Sequence, residues 1–82
     1  MYKMIKAVGK DGTDKLQTIR ERHCDEGYFD YYLEVGIPFY FVYNDGSDQM
    51  LRSSIVETLI RTGNKIEITT KNSEYWFEKM ED

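Results

Sequence analysis

Two side chains that could support nucleophilic catalysis stand next to each other in this sequence. His23 and Cys24 are its only histidine and its only cysteine. A catalytic thiol needs an oriented base within reach of the sulfur, whereas adjacent residues on an extended chain point to opposite sides. We therefore do not expect a catalytic dyad. Cys24 is more typical of a small buried hydrophobe, and His23 of a surface or boundary residue.

Paired carboxylates are the second chemistry to consider. Asp30 and Glu34 would lie about 13 Å apart on an extended strand, too far for a glycosidase-type pair. Asp45 and Asp48 surround Gly46 but do not follow the ligand spacing of a calcium-binding loop. One histidine and one cysteine cannot complete a structural zinc site. The sequence therefore predicts a non-enzymatic protein without catalytic residues, metal or cofactor.

The charge pattern indicates binding instead. The 29 residues from His23 to Leu51 contain no lysine or arginine, but six acids and eight of the 12 aromatic residues. The formal charge is +3 over residues 1–22, −6 over residues 23–51 and −1 over residues 52–82, which sum to −4. Aromatic rings supply contact area, and charge of one sign attracts a partner of the other. We expect a surface that binds a positively charged partner.

Length and composition indicate one small domain, residues 1–82. A single cysteine fits a reducing compartment. The first residues lack the apolar stretch of a signal peptide, and the longest apolar run, residues 37–43, is far shorter than a membrane span. We therefore expect a cytoplasmic protein without a membrane partner.

Apolar periodicity predicts a mainly β fold, a single small antiparallel sheet or barrel with at most one short helix. Strands are predicted at residues 2–8, 28–35, 39–43, 65–70 and 74–80. The strand at 39–43 is apolar on both faces, which predicts a central or covered position. The turn signal at 44–48 predicts a hairpin into residues 49–51.

The strand predicted at 28–35 assigns its residues to two sides. The inward set is Phe29, Tyr31, Leu33 and Val35. The outward set is Tyr28, Asp30, Tyr32 and Glu34. On this assignment Tyr31→Ala should cost about 2–4 kcal/mol of stability, whereas Tyr32→Ala should mainly weaken binding.

Residues 13–24 are compatible with a helix or with a polar edge strand. In the helix, Thr13 or Asp14 would be the N-cap. The thin apolar stripe would consist of Leu16, Ile19 and His23. Such a stripe contributes little packing energy, so the two interpretations remain close.

Residues 54–62 favour a short helix on local pattern, since Ser54 and Glu57 match a capping box and Gly63 matches a helix stop. The wider sequence points to a strand. Its Ser53-Ser54-Ile55 segment and its Thr70-Lys71-Asn72-Ser73-Glu74-Tyr75 turn resemble the ending of small, mostly uncharacterised proteins of phages and Gram-positive mobile elements. The resemblance covers residues 51–77, and it implies a compact antiparallel β fold with a strand at 55–62.

An acidic–aromatic surface is predicted from the outward residues of these strands and the adjoining turn. Alternate residues on a strand stand about 6.6–6.8 Å apart, so a row of carboxylates could imitate a phosphate backbone. The predicted partner-binding residues are Tyr28, Asp30, Tyr32, Glu34, Asp45, Asp48, Glu74, Trp76 and Glu78. The alternative for any one of them is structural: the rings pack against a second layer and the acids only keep the protein soluble.

Three functions follow from these patterns. The first is a phage-encoded inhibitor, with DNA mimicry as one mode of action, that binds a basic host protein such as an RNA polymerase, a nucleoid protein or a nuclease. The second is a small β-barrel that binds nucleic acid through the basic N-terminal third. Its cations would be Lys3, Lys6, Lys10, Arg20 and Arg22. The third is a structural subunit that self-associates into an oligomer through the strand at 39–43.

Overall fold

A computed structural model describes residues 1–81, which form six strands and one helix. The elements are β1 (Tyr2–Gly9), α1 (Leu16–Arg22), β2 (Glu26–Asp30), β3 (Pro38–Tyr43), β4 (Met50–Thr62), β5 (Lys65–Thr70) and β6 (Ser73–Lys79). Each strand pairs antiparallel with the next, and β6 pairs with β1 to close a barrel. The predicted mainly β fold is confirmed, as a closed six-strand barrel.

Aromatic side chains fill the barrel. The fully buried large residues include Phe39, Phe41, Phe77, Met4 and Ile68. The ring of Phe29 lies edge-on to three of these phenylalanines, at centroid distances of 4.8 to 5.8 Å. A small chain buries a limited share of its surface, so this cluster must supply much of the hydrophobic stabilisation.

β3 occupies the central position that its composition predicts. It is hydrogen-bonded to β2 on one side and to β4 on the other. Phe39, Phe41 and Tyr43 are buried inside the barrel, while Tyr40 and Val42 are half-buried on the outside. The hairpin across residues 44–48 is also confirmed, since β4 begins at Met50.

β2 ends earlier than predicted, because Tyr31 adopts a left-handed conformation with φ of 61°. Its amide donates a hydrogen bond to Asp30 Oδ1, and the chain leaves the sheet at this point. Tyr31 is 74% exposed and Val35 is 57% exposed, so their predicted inward positions are wrong. The other two members of that set, Phe29 and Leu33, do pack against the core. The predicted destabilisation by Tyr31→Ala therefore has no structural basis.

Of the two interpretations of residues 13–24, the structure has the helix, but it spans only Leu16–Arg22 and its N-cap is Lys15, not the predicted Thr13 or Asp14. Leu16 and Ile19 are buried on its inner face, and Asp14 Oδ1 accepts the Leu16 amide hydrogen at 2.9 Å. α1 lies beside β1, where the β1–β2 ladder has only two register pairs. Its inner face packs on β1 and contributes Leu16 and Ile19 to the core. With seven residues, the only helix of residues 1–81 is too short to span a membrane.

β4 replaces the helix that the local pattern favoured at 54–62. Its first part pairs with β3 and its last part with β5, with register shifts in both ladders. Ser53 and Val56 are buried and Leu59 is half-buried, so inward residues recur every three positions. An extra residue at a bulge changes the alternation of a strand, and the resulting spacing imitates that of a helix. The strand implied by the resemblance is correct.

Hydroxyl groups hold the bent part of β4 against the turn that precedes β6. Thr70 Oγ1 accepts hydrogen bonds from Ser54 Oγ at 2.8 Å and from the Ser73 amide at 3.1 Å. It donates to the Ser73 carbonyl, and the Asn72 amide donates to Ser54 Oγ. Residues from the two segments that carry the resemblance therefore contact one another.

Candidate protein-binding surface

The nine predicted partner-binding residues lie in three separate places. Tyr28, Asp30, Tyr32 and Glu34 lie on β2 and the segment after it, Asp45 and Asp48 in the β3–β4 turn, and Glu74, Trp76 and Glu78 on β6. β1 lies between β2 and β6 in the barrel. The structure therefore does not join all nine into one surface.

The β6 group is interleaved with lysines. Lys6 of β1 places its ammonium 3.6 Å from the Glu74 carboxylate and 4.4 Å from the centre of the Trp76 ring. The Trp76 indole donates to the same carboxylate at 2.8 Å. Glu78 stands opposite Lys3 on one side and Lys65 on the other. This face of the barrel has mixed charge and does not extend an acidic row.

Asp45 stabilises its own turn through hydrogen bonds. Its carboxylate accepts hydrogen bonds from the Ser47 hydroxyl and amide, and it lies 3.2 Å from His23 Nδ1. These hydrogen bonds, with Ser47 contributing most, hold the pKa of Asp45 below its usual value. Asp48 is exposed, with a left-handed backbone at φ of 59°. Only Asp48 of this pair is free of an ion pair among residues 1–81.

His23 and Cys24 are separated by their contacts. The His23 ring stacks on Tyr43, with 4.2 Å between the ring centres. Burial raises the pKa of Tyr43 to about 12. Cys24 Sγ donates to the Glu26 carbonyl. Residues 1–81 contain no cluster of three or more acidic, histidine or cysteine side chains able to hold a metal ion.

Two tyrosines, Tyr28 of β2 and Tyr40 of β3, lie on the outer face of β2, β3 and β4. The strand register places Tyr28 beside Val42 and Val42 beside Met50; the next outward row is Asp30, Tyr40 and Arg52. Tyr28 is 50% exposed and Met50 is 44% exposed. The Tyr31 ring meets the Tyr40 ring edge-on at 5.4 Å, and the Arg52 guanidinium lies 5.9 Å from the Tyr40 ring centre. We call Tyr28, Tyr31, Tyr32, Tyr40, Val42 and Met50 the tyrosine face.

The segment between β2 and β3 enlarges this exposed apolar area. Tyr32 is 77% exposed, and Val35 and Ile37 are exposed beside it. Ile55, which pairs with Pro38 at the edge of β3, is 49% exposed. Only two exposed large hydrophobics of the described chain, Met1 and Ile60, lie elsewhere. Large exposed apolar side chains concentrated in neighbouring segments are typical of interaction sites in soluble proteins.

Three of the acids predicted to bind a partner have no counterion in the described part of the chain. Asp30, Glu34 and Asp48 form no ion pair with any lysine, arginine or histidine in residues 1–81. Arg52 is the one cation that the strand register places beside the face. Sequence reasoning selected Tyr28, Asp30, Tyr32 and Glu34 here but missed Tyr31, Tyr40 and Met50. The available signal was the apolar outer side of β3, which predicted a central or covered strand and therefore no exposed binding residues.

Three of the five cations predicted to bind nucleic acid form ion pairs, while Lys3 and Arg20 line one groove together with Lys79. Lys6 pairs with Glu74, Lys10 with Glu57 at 3.2 Å, and Arg20 with Asp25 at 2.8 Å. Because β3 is paired on both sides, it has no free edge through which a second copy could add. The third function therefore lacks the strand edge that it would use, whereas the second function stays a prediction.

Comparison of the chain with protein-family models, with curated proteins and with solved structures finds no match. The function is therefore argued from the tyrosine face itself, and the phage resemblance stays a prediction.

Proposed function

We propose that this protein is a non-enzymatic binding module whose tyrosine face docks on a basic surface of another protein. The single observation that supports the proposal is the clustering of exposed tyrosines beside acids that have no internal counterion. Tyrosine is enriched at the centres of protein interfaces because its ring is large and its hydroxyl tolerates water. Most of a monomer's surface lacks such clustering.

The contacts divide into two kinds of contribution. Tyr28, Tyr31 and Tyr32 would supply the buried contact area, and Met50 would adapt its shape to the partner. Asp30 and Glu34 would attract and orient a basic partner, which affects the association rate more than the final affinity. The partner surface that fits is apolar at its centre and rich in lysine or arginine at its rim.

A host protein that handles nucleic acid has such a basic surface, and occupying it would block DNA or RNA. This version of the proposal includes RNA polymerases, nucleoid proteins and nucleases as targets. The lysines beside Glu74 and Glu78 argue against a long carboxylate row that copies a DNA strand. The proposed interface instead uses the tyrosines and the acids near them together.

Affinity capture from a bacterial lysate tests the proposal when matched variants are compared. Asp30→Asn/Glu34→Gln and Tyr28→Ser/Tyr32→Ser alter the tyrosine face. Glu67→Gln/Glu78→Gln removes the same charge from the opposite, lysine-lined side. We expect the first two variants, but not the third, to lose a captured basic protein, and we expect salt to weaken that capture.

Equal capture by all three folded variants would refute the docking surface. A gel-shift assay with duplex and single-stranded DNA separates the nucleic-acid alternative. Direct DNA binding that weakens steeply with salt would favour that alternative over a protein partner.

A further inference from the structure

The outer side chains of β2, β3 and β4 form two short rows across the three strands. The first row is Tyr28, Val42 and Met50, and the second row is Asp30, Tyr40 and Arg52. Neighbouring strands lie about 4.8 Å apart, and alternate positions along a strand lie about 6.6–6.8 Å apart. In each row the β3 residue is therefore the centre, and the β2 and β4 residues flank it at equal distances.

The second row carries opposite charges at its two ends. Tyr40 separates Asp30 from Arg52, and neither charged residue forms an ion pair within residues 1–81. The exposed Arg52 guanidinium lies against the Tyr40 ring, 5.9 Å from its centre. The Asp30 carboxylate accepts the Tyr31 amide and keeps lone pairs for further donors. A pair that does not form within one chain can thus form between two.

A two-fold axis along the outer side of β3 makes both rows self-complementary. Such an axis places the β2 residue of each row opposite the β4 residue of the same row in the second copy, and each β3 residue opposite itself. Asp30 would then meet Arg52 of the second copy, and Tyr28 would meet Met50 of the second copy. Carboxylate–guanidinium pairs are charge-assisted, and methionine sulfur packs favourably on aromatic rings. No like charges face each other within the two rows.

The lengths of the side chains suit the shape of the surface. A closed barrel curves away on both sides of β3, so two copies that meet along β3 leave a wider gap at the flanks. The flanking residues Tyr28, Met50 and Arg52 are long and exposed, whereas Val42 and Tyr40 at the centre are half-buried. The longest exposed side chains therefore stand where the gap is widest.

We propose that this chain forms a two-fold symmetric homodimer through these two rows, with Asp30 of each copy paired with Arg52 of the other. Side chains make the contact, so the dimer does not need the free strand edge that β3 lacks. The dimer does not rest on the basic partner proposed above. It covers Tyr28 and Asp30, so a second copy and that partner compete for the same face.

The available contact area makes the dimer reversible. At about 200 Å² for a whole tyrosine, the exposed parts of Tyr28 and Tyr31 offer about 250 Å². Complexes that bury less than roughly 600 Å² on each partner are usually weak and transient. Glu34 and Asp48 lie outside the two rows without a counterion, and their negative charges on the two copies repel each other.

Sedimentation equilibrium of the full chain tests the proposal. We expect the apparent mass to rise with concentration from 9.8 kDa toward twice that value, with a dissociation constant on the order of 10–100 µM. Arg52→Glu and Asp30→Arg each place like charges opposite each other, so each should raise the dissociation constant about tenfold or more. The double exchange Asp30→Arg/Arg52→Glu restores opposite charges and should recover the dimer to within about threefold of the parent chain.

Lys65→Glu is the matched control, because it makes the same change of charge on β5, outside both rows. It should leave the dissociation constant unchanged. Arg52 is exposed, so Arg52→Glu stays informative if circular dichroism shows that Asp30→Arg does not fold.

Three results would overturn the homodimer. They are a monomer mass at every concentration up to about 1 mM, equal weakening by Arg52→Glu and Lys65→Glu, and a folded double exchange that stays as weak as its single variants. Capture of a basic protein by the parent chain would still support the docking function in each case, so the failure of one proposal is distinguishable from the failure of the other.

Discussion

Thr70 is the side chain whose loss should separate hydrogen bonding from hydrophobic packing in this barrel. It is fully buried, and its hydroxyl takes part in three hydrogen bonds, one with Ser54 of β4 and two with Ser73 across the β5–β6 turn. Thr70→Val keeps the shape of the side chain but removes all three. Each such bond contributes about 1 kcal/mol, and the buried Ser73 amide would lose its acceptor at a cost of about 1–3 kcal/mol.

We therefore expect Thr70→Val to lower the free energy of unfolding by about 2–3 kcal/mol. That is a large share of the roughly 4–12 kcal/mol typical of a chain of this length. At a urea slope of roughly 1 kcal/mol/M, the midpoint of denaturation should fall by about 2–3 M. Thr69→Val is the matched control, since Thr69 is the adjacent, half-exposed threonine of β5. It should change stability by no more than about 0.5 kcal/mol.

The reasoning would be refuted if urea denaturation gave the same midpoint for Thr70→Val and Thr69→Val. Circular dichroism and tryptophan fluorescence should follow one transition in both variants, so that the two midpoints are comparable. A lower midpoint in Thr69→Val alone would place the important hydroxyl on the outside of the barrel.

Three further outcomes are expected. In thermal melts, the stability of Tyr31→Gly should stay within about 1 kcal/mol of the parent chain, since relief of left-handed strain offsets the lost Tyr40 contact. A larger loss of stability would contradict an exposed Tyr31. Capture of the partner should still fall in this variant. Gly27→Ala should cost about 3 kcal/mol or more, because its Cβ would lie 2.1 Å from the Val42 carbonyl oxygen, while Gly36→Ala, in open space, should cost about 1 kcal/mol. Similar losses in urea would argue against the β2–β3 contact. Stability should also fall as the pH rises from 10 toward about 12, because the folded chain retains the Tyr43 proton that the unfolded chain loses; alkaline melts of Tyr43→Phe should lack this part of the decline.

The strands with clear alternation could be predicted from the sequence, because one side of each faces the barrel interior. Ile66 and Ile68 on β5 and Tyr75 and Phe77 on β6 are buried as the pattern indicates. The same alternation predicted the wrong structure after Asp30, where β2 ends. Nothing in the run of tyrosines signals the left-handed turn at Tyr31, since that conformation is uncommon for a bulky residue.

Only part of the candidate surface could be predicted from the sequence, for a related reason. A strand pattern shows which side chains share a side, but it does not show which strands become neighbours. The sequence therefore could not reveal that β1 places Lys6 against Glu74 and Trp76. It also could not show that Tyr40 and Met50 stand close to Tyr28, because that proximity depends on the β2–β3–β4 register.

The unequal ladders of β1 bear on the order in which the barrel folds. Strands β2 to β6 are joined as successive neighbours along the chain, whereas Gly9 pairs with Ser73, 64 positions later. Pairings between distant positions form slowly, because the intervening chain must first be brought together. We expect β2 to β6 to form first, as an open curved sheet. β1 should then pair last and close the barrel.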